Sequence, residues 1–417
     1  MRSSLLASFA AVSLVAILGG LTGWYFYLHT HTQAIRSADT ARGFSVGSLP
    51  GILGIGGSPG NAGVTPLGSV GGSATTSATT EALDKPIIAT PQTPRLWQVT
   101  KTPVAGFGFV EGGQGYVLRY AERATGYVFS ADPWSGDIER LVNTLRPKTQ
   151  EAYFSGSSVI MRSFQNGYLD TWSGTVGRSS TSTALVGASL GASIKALSLD
   201  ERSDRMFYLR QTATGLEGLV TLPDGSKPRS VFSSALTSWI PIAVPGRLVV
   251  TQSASDNTPG FSYEIGKGNA LTKLVGNISG LMVLPRASSS ALIYSSSQGG
   301  ALSLYARSDS SATPVRFSLK TIAEKCVWSP DSTKGMFAYC AVPRSFSNPR
   351  FLDEWHQGAF FTEDTWWQVD ASSGASQALF TAERHPDARN LRVDPAGRFI
   401  AFIDGTDGSL WVLRIVQ

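Results

Sequence analysis

The sequence predicts an all-β protein: a seven-bladed β-propeller with an N-terminal closing strand, preceded by one transmembrane helix and a flexible linker. Three observations carry this. A hairpin unit recurs about every 44 residues through 91–417, a spacing in the range of propeller blades. The final strands stop one short of a complete blade, and a charge-free apolar run opens the chain.

That run comes first. Residues 5–28 contain no charge over about 24 positions, long enough at about 1.5 Å per residue to cross a hydrocarbon core of about 30 Å. Its far end, 24-WYFY-27, suits an aromatic belt at the headgroups, and 29-HTHTQ-33 turns polar at once. A cleaved signal peptide is the competing reading. It is disfavoured because the apolar region exceeds the usual 7–15 or so residues and Ala34 follows His-Thr-Gln, a poor cleavage context. Residues 1–30 are therefore read as an uncleaved single-pass anchor in the cell membrane, with the C-terminal domain extracytoplasmic. Arg2 with the amino terminus opposes Arg36 and Arg42, so charge counting leaves the orientation open.

Residues 31–90 read as a linker. From 44 to 80 there is no charged residue, only Gly, Ser, Thr, Pro and small apolar groups, and such a chain has a root-mean-square reach of roughly 35 Å over about 40 residues. Ile52, Leu53 and Ile55 leave a short docking segment as the other reading.

The repeated domain occupies 91–417. Its unit is clearest in 198-SLDERSDRMFYL-209, 328-WSPDSTKGMFAYC-340 and 392-RVDPAGRFIAFI-403, where Asp200, Asp331 and Asp394 each open a polar turn between two strands. Aspartate suits that place because its carboxylate takes the backbone N–H two residues on. The second strand reads as a continuous apolar run, the mark of a strand buried on both faces. Weaker copies have tips near Gly112, Gly156, Gly246 and Ser288. A second turn class, at 132-DPWSGD-137, 170-DTWSG-174 and 370-DASSG-374, is placed between third and fourth strands. The end 409-SLWVLRIVQ-417 lacks a fourth strand, and 95-RLWQVTKTP-103 supplies one, closing the ring and removing open sheet edges. About 327 residues, less an excess of about 20 in blade six, divided by about 44 gives seven blades.

Composition narrows the function. Charged residues make up 16% and the net charge of +5 comes without a Lys/Arg run, so no nucleic-acid partner is expected. The Asp-led hairpins of 328-WSPDSTKGMFAY-339 and 392-RVDPAGRFIAF-402, with the Asp-x-x-Ser-Gly turns, resemble the TolB-like, WD-repeat-like bacterial β-propellers over essentially all of 91–417. Trp355 to Gly358, a Trp-x-Gln-Gly element followed by a Trp strand, looks like a feature of functionally uncharacterised, membrane-anchored bacterial propellers. The resemblance implies the fold and no particular chemistry, because such propellers include periplasmic assembly proteins and peptidase-associated domains.

Candidate sites follow. Cys326 and Cys340 are the only cysteines and flank one hairpin, so they are either a cross-strand disulfide, which needs an oxidising compartment, or two buried thiols. The stretch 187-GASLG-191 matches a hydrolase nucleophile elbow, but Ser189 is read in a small-residue linker between blades, without the strand-turn-helix context. The excess of blade six, 351-FLDEWHQGAFFTEDTWWQVD-370, is read as an extended connection leading into 365-TWWQV-369. Asp353, Glu354, His356, Glu363 and Asp364 lack the regular spacing and glycine turn of a hard-cation loop, so no metal and no cofactor are expected. Trp355, His356, Gln357, Phe360, Phe361 and Trp366 form the candidate binding patch. In the competing reading, Trp355, Phe360 and Phe361 fold back over their own blade. His385 reads as a turn residue. No catalytic residue is expected; the chain is read as a non-catalytic protein-binding or envelope-assembly module of unspecified partner and oligomeric state. The contrasting hypothesis is a hydrolase or lyase using polar groups of the propeller funnel.

Overall fold

Strand Leu96–Thr100 pairs antiparallel with Leu410–Arg414, Leu96 opposite Leu413 and Trp97 opposite Val412, so the ring closes as the sequence predicts. The computed structural model describes residues 93–416, apart from 114, 179–182, 201, 203, 288, 332 and 346. The predicted span at 5–28, the whole linker 31–90 and Ser288 therefore lie outside the described residues. Among the described residues no helix is long and apolar enough to cross a membrane.

The described residues form seven four-stranded antiparallel sheets. Blades one to five span 104–140, 149–191, 194–234, 239–279 and 282–316; blade six spans 326–380, and blade seven joins 388–414 to Leu96–Thr100. In each of the first six blades the strands meander from the inner edge outwards in sequence order. Antiparallel alternation then places the second-to-third-strand turns and the blade-to-blade connections on one rim of the ring. The remaining turns occupy the opposite rim.

The core lies between blades. One cluster joins blades seven and one through Phe399, Val412, Val104 and Phe107, another joins one and two through Val128, Phe154 and Trp172, and the same layering continues round to Trp366, Ile400 and Phe402 between six and seven. This explains the lost alternation in the second strands: Phe399, Ile400, Ala401, Phe402 and Ile403 are all buried because each face meets another blade.

The turn aspartates divide into two behaviours. Asp394 accepts backbone N–H groups of Arg398 at 2.5 Å and Phe399 at 2.6 Å, and Asp200 accepts that of Arg202 at 3.2 Å. Asp331 instead takes the Arg202 guanidinium at 2.9 Å, joining the first turns of blades three and six on the rim opposite the blade connections. Asp132 and Asp370 sit between third and fourth strands as predicted, accepting Trp134 N–H at 2.7 Å and Ser372 N–H at 2.9 Å.

Two local expectations are corrected. Residues 170–174 are not a turn but part of the eleven-residue strand Tyr168–Arg178. Residues 187–191 are not a linker but the end of the outer strand Thr183–Gly191, where Ser189 donates to Asp170 at 2.5 Å. Both segments are rich in small residues, which read as turn signals in isolation. The reason for the glycines is packing: a Cβ on Gly174 or Gly187 would collide with the Trp172 indole and with facing backbone.

Candidate functional site

The second-to-third-strand connection of blade six, 344–363, stands on the rim that carries the blade connections. The sequence predicts an extended connection; the structure contains a short α-helix, Phe351–His356. Phe351, Leu352 and Trp355 share its inner face and pack with Leu302 of blade five and Ile322 of the connection between blades five and six. Asp353 and Glu354 fall in the first turn, where the unpaired N–H groups favour negative charge.

No side chain of the helix's own preceding residue caps it. Asp256, in the corresponding loop of blade four, does so: one carboxylate oxygen accepts Leu352 N–H at 2.9 Å and Asp353 N–H at 3.2 Å. Its other oxygen takes the Ser297 hydroxyl of blade five. Ser255 donates to Asp353 at 3.1 Å, so the helix start is tied to blade four from both sides. The insertion therefore bridges from blade six across blade five to blade four.

Its other end is anchored by a buried charge network. Lys325, fully buried at the start of blade six, donates to Asp364 at 2.7 Å, Asp387 at 2.6 Å and the Ala388 carbonyl at 3.1 Å. Asp387 also accepts the Trp355 indole N–H at 2.8 Å, the Thr362 hydroxyl at 2.7 Å and the Arg389 Nε–H at 2.8 Å. Burial pushes the Asp387 carboxyl up, but the Lys325 charge and hydrogen bond, with Trp355 and Arg389, outweigh it and hold the group below the usual aspartate range. Asp364 goes the other way: burial dominates, and although one oxygen takes Lys325 and the Ala388 N–H, the other has no partner among the described residues.

The six predicted binding residues separate into two sets. Trp355, 1% exposed, and Trp366, fully buried, are not surface rings. Trp355 has Lys325 and Arg389 over its ring at 4.9 and 4.3 Å, and Trp366 packs 4.8 Å from Phe402 of blade seven. Half-buried Phe360 meets Phe351 edge to face at 5.9 Å. His356 and Gln357 are exposed, His356 beside Glu324 at 2.9 Å, and Phe361 is 41% exposed with the Arg389 guanidinium 5.7 Å from its ring centre.

The five acid and histidine groups weighed as metal ligands diverge. Asp353 faces Ser255, Glu354 faces Arg350 at 2.6 Å, His356 faces Glu324, Glu363 faces Arg344 at 3.4 Å and Asp364 faces Lys325. His385 is partly buried and its Nδ1 lies 3.1 Å from the Asp364 carbonyl, so it braces the same network from the connection between blades six and seven. Cys326 and Cys340 face each other in register on adjacent strands and are joined in a disulfide with Cα atoms 4.1 Å apart.

On the inner strand of blade two, Glu151 takes Arg162 at 2.8 Å and the Tyr153 hydroxyl at 2.8 Å. Burial first, then Glu151, pushes the Tyr153 phenol up. Arg162 continues to the Ile194 carbonyl of blade three at 2.9 Å. This group ties neighbouring blades together.

The fold and the insertion define a seven-bladed β-propeller with one docked excursion in blade six. Solved structures to which the chain is similar include oligogalacturonate lyase from Vibrio parahaemolyticus, at 9% identity and a TM-score of 0.48 over 77% of this chain and 94% of that one. TolB from Acinetobacter baumannii is similar at 9% identity and 0.40, over 75% of this chain and 63% of that one. The Neurospora crassa Pan2 WD40 domain is similar at 11% identity and 0.46, over 76% and 92%. TolB and WD40 propellers are thus among the structural neighbours, as the hairpin motifs lead one to expect, and at these identities the likeness concerns the fold alone. No family model and no curated protein matches the chain.

Proposed function

We propose that the chain is a membrane-anchored extracytoplasmic propeller acting as a non-catalytic protein-binding or envelope-assembly module, with the tip of the blade-six insertion as its contact surface. The observation that supports this is a contrast within one segment. Phe351, Leu352 and Trp355 are buried and locked to blades four to seven, while His356, Gln357 and Phe361 stand exposed at the tip. A tip fixed before binding loses little entropy on contact, and an aromatic ring beside polar groups on a rigid support has the composition of a binding anchor.

The test is a photo-cross-linker at Gln357 of the full chain in its native envelope, with the same probe at Glu111, exposed on the opposite rim, as reference. A discrete protein adduct from Gln357 that disappears with Phe361→Ser supports the reading. Adducts from Glu111 with none from Gln357 would remove it. Hydrolase or lyase chemistry in the funnel predicts a different result, turnover that is indifferent to Phe361→Ser.

A further inference from the structure

Blade five has the shortest outer strand among the described residues, Val315–Arg316. It pairs with the third strand, Ala301–Arg307, only at Ala306 and Tyr305. Phe317 N–H adds one bond to the Leu304 carbonyl at 3.0 Å before the chain leaves the sheet for blade six. Main-chain groups of an antiparallel strand turn to the same side at every second residue, so Leu302 N–H and C=O point outwards like those of Leu304. Leu319, next in register, makes no main-chain bond to Leu302. The sheet edge is notched there.

The notch is a cavity of about 340 Å³ lined by Leu302, Arg316, Phe317, Ser318, Leu319 and Lys320. Its floor is fixed: Leu302 and Phe317 are 4% and 3% exposed, and the Leu302 side chain packs with Phe351 and Trp355 of the insertion helix. Its walls carry two exposed cations, Arg316 and Lys320, and no acid. That departs from the rest of the ring, where Arg162, Arg210 and Arg247 each meet a glutamate within 2.8 Å. Arg316 meets the Ser303 hydroxyl at 3.0 Å, which leaves its charge unbalanced.

We propose that this notch binds a terminal phosphate carried on a small hydroxylated body, a polyol or sugar phosphate. A guanidinium fork, an ammonium and a main-chain N–H together form a phosphate-holding donor set, and two cations match a dianion better than one carboxylate. Leu302 C=O, beside that N–H, accepts a hydroxyl and repels an anionic oxygen, so the body behind the phosphate carries O–H groups. The volume lies at the low end of ligand pockets, which suits one such unit. None of the lining residues belongs to the contact tip, so this site stands without the tip's role in partner binding.

The experiment is isothermal titration calorimetry of the full chain in detergent with glycerol 3-phosphate, and with glycerophosphoglycerol, whose phosphate joins two polyols as in a polymer. Glycerol 3-phosphate should bind with a Kd on the order of 0.1–1 mM, and glycerol alone should not bind. The diester, with one charge, should bind about tenfold more weakly. Arg316→Gln should weaken glycerol 3-phosphate binding about tenfold and Lys320→Gln by less, because only the guanidinium is a fork. Both side chains are exposed, so these variants should melt like the parent, and Phe361→Ser should bind like it. Hydrogen exchange at the Leu302 amide should slow with ligand. No binding by the parent, diester binding as tight as that of glycerol 3-phosphate, or a double variant that binds like the parent would overturn the proposal.

Discussion

Lys325 and Asp387 form a 2.6 Å ion pair in which neither side chain is exposed, joining the first strand of blade six to the approach of blade seven. Lys325 and Arg389 balance Asp364 and Asp387, so the buried group is neutral overall. Lys325→Met strands the Asp364 carboxylate and leaves Asp387 with Arg389 as its one cation, and should cost about 3–5 kcal/mol in urea unfolding at neutral pH. Adding Asp364→Leu leaves Asp387 paired with Arg389 and should recover a large part of the loss.

Burial holds Asp364, Asp394 and Asp404 above the usual aspartate range, while Asp387 lies below it. The raised groups bind a proton more tightly folded than unfolded, so their charged forms cost stability above their folded pKa, and that cost is relieved as pH falls towards about 3.9. Asp387 has the opposite sign: its stabilisation is present above about 3.9 and is lost as pH falls through its depressed folded value. Asp394→Asn keeps an acceptor for Arg398 and Phe399 N–H and should remove one proton's share of the gain on mild acidification. Asp394→Ala orphans those donors and should cost about 1–3 kcal/mol. Urea titrations across the acid range, compared with the parent, check both.

The Cys326–Cys340 bridge spans a sequence separation of 14. Constraint of a loop that size is worth about 3 kcal/mol in the unfolded chain. Cys326→Ala with Cys340→Ala should lower stability by about 2–3 kcal/mol, and reductant should have the same effect only after unfolding, since both sulfurs are buried. Equal denaturation midpoints with and without the bridge would contradict this.

Asp256→Ala should free the start of helix Phe351–His356 while leaving the blades intact. The expected sign is loss of hydrogen-exchange protection at the Leu352 and Asp353 amides, with a global cost of about 1–2 kcal/mol. Asp256→Asn retains an acceptor and should keep most of the protection.

The ring was legible in the sequence because its signals are local and repeated: polar turns led by Asp200 and Asp394, doubly buried second strands, and a strand lacking at one end but spare at the other. The facing positions of Cys326 and Cys340 followed from the same register, but whether they were bridged or two buried thiols did not, and the structure supplies the bridge. The site was less legible because its contacts are remote. Asp256 caps a helix that lies 96 residues on, and Lys325 meets Asp387 across 62, so neither pair has a spacing that a linear pattern reveals. A partial signal existed in Lys325, a charge directly ahead of the apolar strand Cys326–Trp328, which called for a buried counterion. Trp355 misled for a related reason: an indole with an N–H suits a surface loop until a buried carboxylate accepts it.

Arg95 donates to the Arg414 carbonyl across 319 positions, and the pairing of Leu96–Thr100 with Leu410–Arg414 joins equally remote parts of the chain. During synthesis the early strand must wait, unpaired, until the final ribbon emerges, which makes the seam the slowest contact to form and the first that pulling at either terminus would unzip.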